Sequence, residues 1–253
     1  MYAPAEGPTP RFKPAPIFNG LLLLVCLCCL VGTGYGNKRR PPGVGPRAVV
    51  VDERLAALRA EPALTAPLVQ RLGRGRAVAI VGAARAPEGV SFYRVAVTRR
   101  TRGWLQADSV VAPARAHEDE RLLRLIQASD DFERVARARI FLDEFPRSPL
   151  RPRVLLLLGA AAVEAAARLS RDAERRLRED RLPEQGPPLH SYFLNYTGLD
   201  RYRRQGVVYT FDAATRQFRY DGAAWRELVR RYPRSPEATE ARRRLDASTA
   251  APR

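Results

Sequence analysis

Cysteine, lysine and histidine are all scarce in this chain of 253 residues. Its three cysteines lie inside the apolar run at residues 21–31. The remainder of the chain therefore has no disulfide framework, no thiol nucleophile and no cysteine ligand for a metal. The two histidines, His117 and His190, have no metal-ligating partner at helical spacing. We interpret both as ordinary surface or packing residues.

Lysine is almost absent, because only Lys13 and Lys38 occur among the 44 lysine and arginine residues. The formal net charge of +17 is therefore carried by arginine, which we attribute to a GC-rich genome. The charge is spread along the chain and forms no dense basic block, which argues against nucleic acid as a partner. A weak attraction to anionic polymers of a cell envelope is consistent with it.

The sequence also lacks the patterns of common catalytic sites. Gly73 and Gly75 have neither the longer glycine pattern nor the following helix of a phosphate-binding loop. Adjacent acids such as Asp143 and Glu144 are typical of the solvated face of a helix, and they do not indicate glycosidase chemistry. We therefore predict that the protein is not an enzyme and uses no cofactor.

Residues 1–36 predict a signal peptide or a membrane anchor. The apolar run at 17–31 is about 15 residues long, which is short for a bilayer span and typical of a signal-peptide core. The basic residues at 38–40 follow it directly, so an uncleaved anchor is the alternative. Residues 37–47 are rich in proline and glycine and predict a linker. We expect an extracytoplasmic location, in the periplasm or cell envelope, either secreted or tethered to the membrane by this segment.

Residues 48–113 contain short runs of β-branched and aromatic residues, each bounded by glycine, proline or charge. Such runs predict strands, and Gly82 and the turn at 87–89 are expected to end strands. In residues 92–97 the alternation places Tyr93 on one face and Phe92 on the other. About five short strands in this length predict a small barrel.

This segment resembles the bacterial-type SH3 domain. The resemblance is carried by Leu58-Arg59, Pro62, Leu72-Gly73 and the Gly103-Trp104 pair before the last strand. It implies a small all-β barrel that binds cell-wall peptide, peptidoglycan or an envelope protein and has no catalytic activity.

The resemblance also suggests which residues bind ligand, because the Gly103-Trp104 pair lies near the ligand-contacting loops of that family. The candidates are Trp104, Tyr93, Arg59, Arg99, Arg100 and Arg102. One hypothesis is that they line a groove for a peptide or an anionic glycan, since arginines supply planar donors and the aromatic side chains supply apolar area. The alternative is that Trp104 packs in the small core.

Beyond residue 113 the apolar spacing becomes helical. Amphipathic helices are predicted at 118–128 and 131–145, with Asp130 or Asp131 as the cap of the second. The Leu- and Ala-rich run at 154–169 is too short to span a membrane before its first charge and predicts a buried core helix.

Two copies of an aromatic-Pro-Arg-Ser-Pro motif occur, at 145–149 and 232–236. In each copy we expect the first proline to end a helix, the serine to cap the next helix and the second proline to occupy its first position. The motif resembles helical hairpins of the tetratricopeptide type, which implies docking of a protein partner. A β-hairpin is predicted at 207–220, with its tyrosines in the core rather than in a ligand platform.

The predicted fold class is multidomain α+β. The expected order is a signal or anchor segment, an SH3-like barrel at 48–113, helical hairpins at 117–182, a linker and hairpin insertion at 183–221, and a helical hairpin at 222–248. The predicted function is a non-catalytic adaptor of the bacterial cell envelope whose partners are peptidoglycan or an envelope protein. The alternatives are a structural subunit with the barrel as a packing module, and an accessory protein of a cell-wall hydrolase.

Overall fold

A computed structural model describes residues 45–179 and 198–250. All of them belong to one unit, residues 39–253. The signal or anchor segment, nearly all of the linker at 37–47, and His190 lie outside the described residues. The described residues combine an antiparallel sheet with helices, so the α+β class predicted from the sequence is confirmed.

Seven short strands form one antiparallel sheet with the order β3-β2-β6-β5-β4-β1-β7. A 3-10 helix at Ala107–Ser109 separates the last two strands. The strands are β1 Arg47–Val50, β2 Ala57–Arg59, β3 Leu68–Arg71, β4 Ala77–Arg85, β5 Ser91–Ala96, β6 Arg102–Gln106 and β7 Val110–Val111.

Strand β4 is nine residues long and continues through Gly82, where we had expected a strand to end. Its register with β5 shifts between Ile80 and Gly82, which leaves Val81 as an extra residue. An isolated glycine within a strand is typical of such a bulge, because the bulge bends the strand without ending it. The strand-ending role predicted for Gly82 was therefore wrong.

The helical part contains six helices in the described ranges. They are α1 Glu118–Gln127, α2 Asp131–Glu144, α3 Arg151–Glu179, α4 Gly198–Arg203, α5 Ala223–Arg231 and α6 Pro236–Ala250. Helix α2 packs against both α1 and α3, and α3 also contacts α5 and α6. Between residues 45 and 179, and again between 198 and 250, no helix has the length and hydropathy that a bilayer crossing requires.

The two aromatic-Pro-Arg-Ser-Pro motifs start their helices differently. In the second copy the expectation is confirmed, because α6 begins at Pro236 and Ser235 Oγ accepts a hydrogen bond from the Ala238 N–H over 3.2 Å. In the first copy α3 begins at Arg151, two residues after Pro149, so the prediction that this proline occupies the first helical position was wrong. Ser148 Oγ there accepts from the Leu150 N–H at 3.2 Å and donates to Asp119 at 2.7 Å.

Helix α2 lacks the side-chain cap that we predicted. Asp130 occupies the N-cap position but makes no capping hydrogen bond from its side chain. Its carboxylate instead lies 3.3 Å from Arg134 Nη2. Asp131 has a positive φ of 53° and pairs with Arg168 of α3. Both carboxylates therefore form ion pairs with arginines.

The sheet has two differently packed faces, as the alternation of β1 shows. Ala48 and Val50 point to an inner face, where they join a cluster with Leu58 and Leu105. Val49 points to the outer face and joins the hydrophobic cluster of the helices. Val51 and Val111 also join this cluster from the sheet side. Its members from the helices include Leu122, Ile126, Val135 and Phe141. The inner face of the sheet therefore has a core of its own, and the outer side of β1 and β7 joins the core of the helices.

The β-hairpin predicted near 207–220 is present as β8 Tyr209–Asp212 and β9 Gln217–Tyr220. Its aromatic residues pack with Tyr202, which is fully buried, and with Trp225, which is 4% exposed. The described tyrosines of this region therefore belong to the core, as predicted.

Candidate binding face on the sheet

Four side chains form one row across the outer face of the sheet. Arg59 of β2 is the cross-strand partner of Trp104 on β6 and of Leu68 on β3. Trp104 is also the partner of Arg94 on β5. Directly opposite residues of an antiparallel pair project to the same face, and strands lie about 4.8 Å apart, so this Trp104 row (Leu68, Arg59, Trp104, Arg94) extends about 14 Å.

Gly103 is what allows β6 to lie so close to β2. A Cβ at this position would be 2.7 Å from the Arg59 carbonyl oxygen and 2.8 Å from Leu58 Cγ. Heavy atoms cannot approach that closely without a shift of the backbone. The glycine therefore permits the β2–β6 pairing, and the next residue, Trp104, is turned to the outer face by the alternation of the strand.

Exposure alternates along β6 as this arrangement requires. Leu105 is fully buried on the inner face, whereas Trp104 is half-buried on the outer face. Arg94 is exposed, and Leu68 is 52% exposed. Trp104 therefore does not belong to the buried core, and part of its surface is accessible to a ligand.

Arg59 is held in place by the loop at 60–67. Its Nη1 donates to the Ala66 carbonyl over 2.6 Å, and its buried Nε has no hydrogen-bond partner. The loop is closed by the Ala60 N–H, which donates to the Pro67 carbonyl over 3.0 Å. The bond to Ala66 holds the Arg59 guanidinium against its own loop before any ligand arrives.

The other predicted arginines continue the basic surface towards the β5–β6 turn. Arg102 is exposed and lies on the same face as Trp104, two residues before it. Arg99 and Arg100 are exposed in the turn, where Thr98 Oγ1 accepts from the Arg100 and Thr101 N–H groups at 3.2 and 2.9 Å.

No acidic side chain of the described residues forms an ion pair with Arg94, Arg99, Arg100 or Arg102. The ion pairs of the sheet instead involve Arg47, Arg54 and Arg74, which face helix α2 or the loop after β1. The outer face around Trp104 therefore carries positive charge that no side chain of the described ranges neutralises.

Tyr93 lies on the opposite face from Trp104. It is the cross-strand partner of Leu105 and packs against the inner cluster. At its outer end Arg115 donates to the Tyr93 hydroxyl, with its guanidinium carbon 4.6 Å from the ring centroid. The structure thus brings Arg59, Trp104 and Arg102 together, with Arg99 and Arg100 at the end of the same hairpin, and separates Tyr93 from them.

Arg94 and Leu68 complete the row and were missing from the sequence-based candidates. The signal for Arg94 was available, because the alternation that turns Tyr93 inwards turns Arg94 outwards. Leu68 had no such signal. Its place beside Arg59 depends on a register shift between Leu58 and Arg59 in the β2–β3 pairing.

Comparison with known proteins does not identify a relative. No family model, no curated protein and no solved structure matches this chain. Function is therefore inferred from the side chains. A half-buried tryptophan whose cross-strand partners are both arginines combines apolar contact with planar donors that suit carboxylate or phosphate oxygens.

A second surface lies between α3, α5 and α6. It is a groove of about 400 Å³ lined by Ala160, Val163, Glu164, Trp225, Arg244 and Ala247. Trp225 forms its floor and packs so closely on α3 that a Cβ at Gly159 would be 2.1 Å from the indole nitrogen. That nitrogen donates to the Leu156 carbonyl over 3.3 Å.

In the described residues no group of three or more His, Cys, Asp or Glu could hold a metal.

Proposed function

We propose that this protein is a non-catalytic adaptor of the bacterial cell envelope. Its SH3-like domain at 48–113 binds peptidoglycan or a peptide through Arg59, Trp104 and Arg94, and its tetratricopeptide-like helices dock a protein partner. The observation that carries this proposal is the cross-strand row in which a half-buried tryptophan lies between two arginines.

The arrangement supports binding because one arginine of the row is already oriented and another forms no ion pair. Arg59 is already oriented by Ala66, and Arg94 has no acidic partner among the described side chains. A preorganised anchor loses little conformational entropy on binding, which favours affinity. Carboxylates of wall peptides are ligands of suitable charge.

A pelleting assay with purified peptidoglycan tests this function. The protein used should span residues 39–253, because a piece ending near residue 115 would expose Val49 and Val111 to water. We expect Trp104→Ala to abolish pelleting while circular dichroism shows retained structure. Arg99→Ala combined with Arg100→Ala should weaken pelleting and its salt dependence, whereas Arg203→Ala combined with Arg204→Ala, at the C-terminal end of α4, should not.

No pelleting by the folded wild-type protein at low salt would remove peptidoglycan as the ligand.

The extracytoplasmic location is tested separately, by a reporter enzyme that is active only outside the cytoplasm and is fused after Arg253. An inactive reporter on a well-expressed fusion would contradict export.

A structural subunit is the second candidate function, and the contact between the sheet and the helices favours it. Val49 and Val111 of the sheet pack with the helices, and Arg47 on β1 donates to Glu144 on α2 over 2.9 and 3.1 Å. A domain so joined to its neighbour can serve as a packing module. In that case Trp104→Ala would leave binding of the envelope partner unchanged.

A further inference from the structure

The apolar side chains exposed on the surface are concentrated at one edge of the sheet. Six large apolar side chains among the described residues are strongly exposed, and three of these lie within residues 64–69. Leu64, Leu68 and Val69 are 41%, 52% and 47% exposed. They lie on edge strand β3 and on the loop just before it.

This apolar edge is continuous with the basic surface. Leu68 is the cross-strand partner of Arg59, which in turn is the partner of Trp104. Across four neighbouring strands the outer face therefore carries the aliphatic Leu68, then Arg59, then the indole of Trp104 and then the exposed Arg94. The guanidinium of Arg59 donates to the Ala66 carbonyl of its own loop.

Strand addition by a peptide is a poor explanation of this edge. The β2–β3 register shifts between Leu58 and Arg59, and the shift leaves Val69 without a partner in the ladder. Pro67, immediately before the strand, has no N–H to donate. Bulges and prolines are features that prevent strand addition at a sheet edge.

Apart from Arg59, which is bonded within its own loop, these side chains follow the depth profile of a lipid surface. Aliphatic side chains are stabilised at the boundary of headgroups and acyl chains, tryptophan prefers the headgroup region, and arginine is attracted to anionic headgroups. The arginines have long stems, so their guanidinium groups can reach lipid phosphates while the aliphatic edge enters the boundary.

We propose that the outer face of the sheet docks onto the surface of an anionic lipid bilayer. Leu64, Leu68 and Val69 enter the boundary region, Trp104 lies at the level of the headgroups, and Arg94 and Arg102 contact lipid phosphates. This inference goes beyond the function proposed above and does not depend on peptidoglycan as the ligand.

Sedimentation with vesicles tests the proposal, with a protein spanning residues 39–253. Vesicles of phosphatidylcholine mixed with phosphatidylglycerol are compared with vesicles of phosphatidylcholine alone. We expect sedimentation with the anionic vesicles only, and a shift of tryptophan emission to shorter wavelength on binding. The shift should disappear in Trp104→Phe, because the other tryptophan, Trp225, is only 4% exposed.

Two pairs of substitutions separate the apolar from the ionic contribution. Leu68→Thr with Val69→Thr removes apolar surface, and threonine is compatible with a strand. This double variant should weaken vesicle binding about tenfold. Its control is Val208→Thr, at a residue that is 43% exposed elsewhere on the surface. Arg94→Glu with Arg102→Glu should abolish binding. Arg203→Glu with Arg204→Glu makes the same change of charge at the C-terminal end of α4 and should not.

Three results would overturn the proposal. Equal sedimentation with the two kinds of vesicle would exclude recognition of anionic lipid. Binding that is lost in the Arg94 and Arg102 variant but unchanged in the Leu68 and Val69 variant would indicate electrostatic adsorption without insertion. Pelleting with peptidoglycan and none with vesicles would assign the face to a wall polymer, so failure of this inference and failure of the proposed function give different results.

Discussion

Arg137 on α2 donates a hydrogen bond from Nη2 to Oδ2 of Asp52, over 3.0 Å, across 85 residues of sequence. The side chains are only 5% and 11% exposed. Arg137 Nε also donates to the Val51 carbonyl over 3.1 Å, and Nη1 donates to Ser129 Oγ. This one guanidinium therefore connects the end of β1, the α1–α2 junction and α2.

Loss of this connection should destabilise the whole unit. Replacing Arg137 by methionine leaves the Asp52 carboxylate buried without its partner from α2, and breaking a buried ion pair costs about 3–5 kcal/mol. We expect a loss of that size in the free energy of unfolding, measured by urea denaturation. Arg124→Met, at an exposed position of α1, should change the free energy by less than about 0.5 kcal/mol.

The stability that Asp52 contributes should depend on pH. The hydrogen bonds from the Arg54 side chain hold the pKa of the Asp52 carboxyl below its usual range, and the positive charge of Arg137 acts in the same direction. A depressed pKa in the folded state means that this stabilisation is complete above the unfolded value of about 3.9 and is lost as the pH falls below it. Wild type and Asp52→Asn should therefore differ most near neutral pH.

The measurement is urea unfolding of both proteins between neutral pH and about pH 3. The difference in free energy should shrink as the solution becomes more acidic. A difference that stays constant, or grows, over this range would show that the ionised carboxylate is not the stabilising form.

Gly103→Ala should destabilise the sheet. The added methyl group would lie 2.7 Å from the Arg59 carbonyl oxygen, so β6 and β2 would have to separate. Overpacking of this kind costs about 1–3 kcal/mol. Gly73→Ala is the matched control, because a Cβ there has no heavy atom within 4 Å. Equal thermal stability of the two variants would contradict the close approach of β6 to β2.

Ser235→Ala should weaken the last helix. Its Oγ accepts the Ala238 N–H, and loss of an N-cap costs about 1 kcal/mol. Thr239→Ala, at an exposed interior position of the same helix, should cause no loss because alanine has the higher helix propensity. Thermal unfolding of both variants gives the comparison, and an unchanged midpoint for Ser235→Ala would remove the cap assignment.

Local sequence patterns were sufficient for most elements of this fold. Runs of β-branched residues located β1, β4 and β5, and the apolar spacing of three and four located α1 and α2, because side-chain periodicity follows directly from backbone geometry. The serine of the second motif identified the start of α6, because a capping side chain contacts a backbone group only three residues away and is therefore also a local feature.

The candidate site required the tertiary structure. Trp104 and the arginine of β2 were visible as separate residues, but their adjacency depends on the pairing of β2 with β6, and that of Leu68 depends on a register shift. Local propensity contains no information on which strands pair or in which register. The same holds for Arg137 and Asp52, whose contact is decided by the docking of α2 against the sheet. The sequence by itself determined most elements and which residues of one strand share a face, because both follow from local backbone geometry. Long-range packing decided which strands pair, in which register, and which faces meet.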